Sequence, residues 1–297
     1  MYYFFMILIF LIGCVKDEPT YQQEPQPNFE EAYLQLEGLS YAKEQKYITF
    51  EEYRAEVEGV NITDPVIAGR KVRLATPAEY QGSLPLVISL HGLGGNTIFQ
   101  NHFFNATRLI AKMKFILVIP PGLRKSWDFK ADKTRDREFI FQLVKELKGK
   151  VAINEKKVFL VGHSNGAIFA LNHLCKTKHL AGVVAIGGLA NFNLSKCRSN
   201  PTAVTFIHGL EDTIVKYAYG RYSFRKLAEF NGCDLTVVDK STFTLGGMPG
   251  TFEKYRSCSY EVSTVFYTLD KQDHTTSLPL KLVEAVMVNL LQLEKPF

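Results

Sequence analysis

Six short runs of Val, Ile, Leu and Phe constrain this chain more than any other feature. They are Leu86–Leu90, Phe115–Ile119, Val158–Val161, Val183–Ile186, Ala203–Ile207 and Thr264–Leu269. Runs that are apolar on both faces suit parallel strands covered by helices on each side. Stretches of helical period lie between them. Glu138–Lys148 places Phe139, Leu143 and Leu147 on one stripe. Ala167–Leu174 is a second such stretch. Pro279–Leu293 is a third, with Pro279 suited to a first turn and Leu282, Val286 and Leu290 facing inward. Strand and helix alternate with no repeat and no Pro/Gly-rich linker. This predicts one α/β domain over residues 61–297, a doubly wound and mostly parallel sheet with helices on both faces.

Composition narrows the function. At 46% hydrophobic over 297 residues the chain has ample material for a core and is no disordered segment. The +5 charge is scattered without a Lys/Arg block, which argues against a nucleic-acid partner. Tyr2–Ile12 is apolar throughout, far short of the ~20 residues that cross a bilayer. Residues 1–13 therefore read as a secretory signal peptide. Leu11-Ile12-Gly13-Cys14 resembles a bacterial lipobox, with Cys14 as the lipidated residue. The alternative is an ordinary signal peptide followed by a chance Cys. Residues 14–28, rich in Pro, Gln and Glu, read as a tether, and residues 29–60 as a helical extension without chemistry of its own. The chain is thus expected outside the cytoplasm, as an outer-membrane or cell-surface lipoprotein or else secreted, touching membrane only through the lipid at Cys14. Four further Cys remain, and pairing nearest neighbours gives Cys175–Cys197 and Cys233–Cys258, one of three possible arrangements, with four buried free thiols as the alternative.

In a doubly wound sheet, chemistry gathers just after the strands. Val158–Val161 leads into Gly162-His163-Ser164-Asn165-Gly166 and then a helix. This G-x-S-x-G pattern, set between strand and helix, places Ser164 as a nucleophile on a tight bend. Leu86–Leu90 leads into His91-Gly92-Leu93-Gly94-Gly95. Its backbone can approach a substrate closely, so the N–H groups of Leu93 and Asn165 are the candidate oxyanion donors. His91 precedes the nucleophile and is read as holding this loop by hydrogen bonds. After Ala203–Ile207 comes His208-Gly209-Leu210-Glu211-Asp212, and Asp212 is the candidate orienting acid, with Asp234, Asp239 and Asp273 as alternatives. Of the seven His, only His274 follows Asp212, which makes it the candidate general base. The glycine loops match no nucleotide-binding pattern, and no Cys pair has zinc spacing. No cofactor and no metal are expected.

With these residues in place the chain resembles the α/β-hydrolase superfamily, and within it the secreted polyhydroxybutyrate depolymerase and feruloyl-esterase-like group. The resemblance runs from about Arg70 to Leu293. It rests on His91-Gly92, Pro120-Pro121-Gly122 with Ser126-Trp127, Arg135-Asp136, the Ser164 pentapeptide, His208-Gly209 with Asp212, and His274 followed by Pro279. Asn231-Gly232-Cys233 with Tyr255-Arg256-Ser257-Cys258 looks like that group's disulfide pair. The resemblance implies a serine esterase acting through an acyl-enzyme on a hydroxyalkanoate oligomer, a feruloyl ester or an acetyl ester. Trp127 is expected to line the acyl or aryl pocket, with Phe103, Phe104 and Phe129 as further candidates. Two rival readings are a serine peptidase or amidase on the same fold, and an inactive surface lipoprotein that binds a polymer or partner.

Overall fold

In the computed structural model, which describes residues 57–128, 134–190, 197 and 200–295, the apolar runs form the parallel centre of a ten-stranded sheet. These are β5 (Leu84–Leu90), β6 (Ile116–Ile119), β7 (Ile153–His163), β8 (Gly182–Ile186), β9 (Ala203–Gly209) and β12 (Thr264–Leu269). Outside them lie β1 (Val60–Thr63) and β4 (Arg73–Pro77) at one edge, and β10 (Asp234–Leu245) and β11 (Met248–Arg256) at the other. The spatial order is β1-β4-β6-β5-β7-β8-β9-β12-β11-β10, with every neighbour pair from β6 to β12 parallel and the flanks antiparallel. A separate ribbon pairs β2 (Val66–Ile67) with β3 (Arg70–Lys71).

Alternation along the central strands sorts side chains onto two faces. Leu86, Ile88, Val158 and Leu160 point to one face, where they pack on α3 (Arg135–Lys148), α4 (Asn165–Lys176) and α5 (Tyr217–Phe230). Val87, Phe159, Val161 and Ile207 point to the other, against α1 (Thr97–Phe104), α2 (Ile110–Met113) and α6 (Leu280–Leu291). Both faces are therefore apolar for a structural reason, as the unbroken runs implied. A buried ion pair fastens the first face near the sheet's end. Arg70 donates to Asp136 at 2.6 Å and lies 3.7 Å above the Phe139 ring. Burial opposes ionisation of Asp136, but hydrogen bonds from Arg135 and Arg70 hold its carboxyl below the ordinary range.

Cys233 and Cys258 form a disulfide that joins the start of β10 to the chain leaving β11. The expected Cys175–Cys197 bond is not made. Cys175 is held on the inward side of α4, 1% exposed, whereas Cys197 is partly exposed in the connection between β8 and β9. Sequence separation sets a loop's length but not whether two Cβ atoms can approach to about 4 Å. Of the helical extension expected over 29–60, only 57–60 are described, and they form a turn and the first residue of β1. The signal peptide, Cys14, the tether and Phe129 lie outside the described residues. Among the described residues no helix is long and apolar enough to cross a membrane.

Candidate active site

Strand β7 ends at His163 and α4 begins at Asn165, leaving one residue for the reversal. That residue, Ser164, has φ 52° and ψ −118°, a conformation L-residues seldom adopt. The bend is possible because its flanks are bare. A Cβ on Gly162 would lie 2.3 Å from the Gly166 carbonyl oxygen, and one on Gly166 would lie 2.6 Å from those of Leu90 and His91. The second contact also shows how closely the end of β5 approaches the bend.

Three of the residues singled out in the sequence meet at this point. His274 Nε2 lies 2.8 Å from Ser164 Oγ, and its Nδ1 lies 2.7 Å from Asp212 Oδ2. The carboxylate accepts from Nδ1–H, so Nε2 is left to accept the Ser164 hydroxyl proton. Asp212 follows β9 and His274 follows β12, and these strands are parallel neighbours. Their two loops are stitched together by Glu211 N–H donating to the Gln272 carbonyl at 3.2 Å. Gly187, after β8, leaves room for the pair, since a Cβ there would stand 3.2 Å from both Asp212 Oδ2 and His274 Nδ1. The alternative acid Asp273 is exposed and instead accepts from the N–H groups of Thr275 and Thr276.

Asp212 is fully engaged. Its Oδ1 accepts from the N–H groups of Ile214 at 3.0 Å and Val215 at 2.9 Å, and its Oδ2 lies 3.2 Å from His208 Nε2. Burial works against ionisation, yet hydrogen bonds from His208 and His274 hold this carboxyl well below the usual carboxylate range.

The loop after β5 is clamped from several sides. His91 donates from Nδ1 to the Gly92 carbonyl at 2.7 Å and accepts from Gly122 N–H at Nε2, 2.8 Å away. Gly94 N–H donates to the Lys125 carbonyl at 2.7 Å. No hydrogen bond from the N–H of Leu93 or Asn165 is made among the described residues, and Asn165 is the first helical position, where N–H has no intrahelical acceptor.

Trp127 corrects an expectation. It does not line an open pocket. It is 1% exposed, donates from Nε1 to the His91 carbonyl at 2.9 Å and packs 5.7 Å from the Phe169 ring. The Asn165 side chain grips its backbone, accepting from Trp127 N–H at 2.8 Å and donating to its carbonyl at 3.2 Å. An indole sandwiched between the bend and the β5 loop ties one to the other. Phe103 is likewise core, stacked on His163 with centroids 3.9 Å apart. Near the site stands instead a small separate apolar cluster of Ile168, Leu189, Val215 and Tyr219, with Leu93 and Ile214 against it. Ile168, Leu189, Ile214 and Val215 lie within four residues of Ser164, the β8 end or Asp212, Leu93 follows β5 by three, and Tyr219 follows Asp212 by seven. Apart from Leu93, sequence reasoning passed over them, although their chain positions were a usable signal.

His163 was missed as well. Its Nε2–H donates to the backbone carbonyl of His274 at 2.7 Å, so the residue before Ser164 fixes the height of the His274 loop. Burial, and then the neighbouring His274, hold its pKa down at about 3. Burial likewise lowers His91 to about 4 and His173 to about 3. All three are neutral when folded, but once exposed in the unfolded chain they take up protons below about pH 6.5. Their stabilisation is complete above that pH and drains away as pH falls towards 4 and then 3. Each costs on the order of 1 kcal/mol per pH unit in this window. Urea unfolding is expected to show a clearly lower unfolding free energy at pH 5 than at pH 7.5. Equal values would overturn this reading.

Similar proteins agree with the geometry. Residues 125–244 match a family described as phospholipase/carboxylesterase. A probable feruloyl esterase C of Aspergillus oryzae is 27% identical over 214 residues, 68% of this chain and 76% of that one. A bifunctional acetylxylan esterase/xylanase of Neocallimastix patriciarum is 26% identical over 153 residues, half of this chain, which spans only 22% of that larger enzyme. Among solved structures, an acetyl xylan esterase from Aspergillus awamori superposes with a TM-score of 0.57 at 15% identity, covering 78% of this chain and 98% of that one. The sheet order and the strand–bend–helix define an α/β-hydrolase. Within that class, together with its sequence relatives, the chain is an esterase-like enzyme.

Proposed function

We propose that this protein hydrolyses carboxylic esters with Ser164 as nucleophile, His274 as general base and Asp212 as the carboxylate that orients and stabilises the imidazolium. The observation that carries the reading is the unbroken relay from Ser164 Oγ to His274 Nε2 at 2.8 Å and from Nδ1 to Asp212 at 2.7 Å. Ser164 Oγ attacks the ester carbonyl as its proton passes to Nε2. The carbonyl oxygen, now negative, takes the N–H groups of Leu93 and Asn165, each worth roughly 3 kcal/mol in such a site. The tetrahedral adduct collapses, Nε2–H protonates the leaving alcohol, and water repeats the cycle on the acyl-enzyme.

For the acyl group, the partly exposed Leu93 and Ile214, backed by the buried cluster of Ile168, Leu189, Val215 and Tyr219, support an aryl or short acyl chain over a charged one. Feruloyl and acetyl esters are the proposed substrates, since those acids appear in the names of the sequence relatives. We place the reaction outside the cytoplasm, because structural disulfides such as Cys233–Cys258 persist in oxidising compartments.

The test is a panel of methyl ferulate, an aryl acetate and matched anilides, assayed on intact expressing cells and on purified protein. Turnover of the esters by both, with the anilides untouched, is the expected result. Anilide cleavage at a comparable rate would move the assignment to an amidase, and activity absent until cells are lysed would sink the export reading.

A further inference from the structure

Away from Ser164 the molecule holds a cavity of about 210 Å³. It lies beside the early part of β7 and the final turns of α3 and α4. Val158 on its wall precedes Ser164 by six positions of strand, on the order of 20 Å. It is thus separate from the site described above.

Its chemistry has two parts. Ile140, Val144, Val158 and Leu180 supply apolar walls, and Phe141, 55% exposed although aromatic, stands at its edge. Lys145, Lys148 and Lys295 bring three cations to the same cavity, against the single carboxylate of Glu155. Lys148 is paired with Glu155 at 2.7 Å. No acidic side chain among the described residues pairs with Lys145 or Lys295 within salt-bridge distance.

His173 adds an independent observation. It lines the cavity at 7% exposure, and its buried Nδ1 has no hydrogen-bond partner among the described residues. An enclosed ring nitrogen without a partner is uncommon in a folded chain and calls for an explanation. Nothing in the hydrolytic relay uses His173, which lies more than two helical turns beyond Ser164 on α4.

We propose that this cavity binds a small amphipathic monocarboxylate, its alkyl or aryl body against Val144, Val158 and Leu180 and its carboxylate beside Lys145 and Lys295. His173 contributes a buried ring to the lining. Apolar walls alone would accept any oily molecule, but the excess of cations selects an anion over a neutral analogue of equal shape. The proposal does not depend on the chemistry assigned to Ser164.

Isothermal titration of the intact protein with octanoate, and separately with 1-octanol, tests it. One octanoate is expected to bind per chain, with octanol weaker by roughly tenfold or more, the loss expected when a charge partner is absent. The double variant Lys145→Glu/Lys295→Glu, altered only at the cavity's charged groups, should weaken octanoate by a similar factor without changing Tm. Val144→Trp, which fills the cavity, should abolish binding. No heat up to about 5 mM octanoate, a Kd beyond which no useful affinity exists, would overturn the proposal. So would equal affinity for octanol, or octanoate binding unaffected by the charge reversal.

Discussion

Ser164→Ala is expected to lower kcat by about 10⁵-fold or more, the scale seen when a hydroxyl nucleophile of this kind is removed. The magnitude follows from the site's economy. Ser164 Oγ is hydrogen-bonded to His274 Nε2, and among the described residues no other side-chain hydroxyl makes that bond. The change should spare the fold. Alanine occupies the same bend with the same Cβ, and the Ser164 N–H that donates to the Ile186 carbonyl at 2.8 Å belongs to the backbone and stays. A residual rate above the uncatalysed reaction is also expected, because the Leu93 and Asn165 N–H groups, the proposed oxyanion donors, are untouched by the substitution. The measurement is kcat and KM on an aryl acetate alongside a melting curve. An activity loss below a hundredfold with Tm unchanged would remove Ser164 from the nucleophile's role.

Asp212→Asn is expected to lower kcat by about 10⁴-fold through a proton placed on the wrong nitrogen. The Asp212 surroundings decide which way the amide turns. Oδ1 accepts two backbone N–H groups, from Ile214 and Val215, so the amide oxygen takes that side. The NH₂ then faces His274 Nδ1, to which it can only donate. The imidazole must carry its proton on Nε2 instead, where it opposes the Ser164 hydroxyl rather than accepting from it. The same NH₂ confronts His208 Nε2, which donates to the Val215 carbonyl at 2.7 Å and so carries a hydrogen. Stability should fall by about 1–3 kcal/mol for that unsatisfied contact. Steady-state kinetics and urea unfolding check the two parts separately. A loss under tenfold would mean that Asp212 does not govern the His274 tautomer.

The centre of the fold was legible because burial on both faces leaves a direct mark on sequence. Each parallel strand is built on one of the six runs, with only Phe115 falling outside its strand, and the residues that follow β7, β9 and β12 are those that meet at Ser164. The flanks were harder. Strands β10 and β11 are half-exposed and carry Lys, Asp and Thr, so no apolar run marks them. The Gly246-Gly247 pair, both at positive φ, was nonetheless a readable hairpin signal. Helix α5 buries Tyr219, Phe224 and Leu227 at helical spacing but is diluted by Arg, Lys and Glu. Trp127 and Cys175 failed for a common reason. Composition gives a residue's chemistry, while its depth depends on which neighbours the loops bring over it. His163 was hidden inside a motif whose letter at that position is free, and only the His274 carbonyl 2.7 Å away reveals its use.

The backward-leaning backbone at residue 164 sets durability against turnover. A positive φ at a non-glycine position costs about 1–3 kcal/mol, and glycine would relieve it while leaving the bend in place. Variants chosen only for heat resistance should therefore drift towards glycine here and lose the reaction as they gain toughness. A serine held in that posture is a feature that endurance alone would not keep.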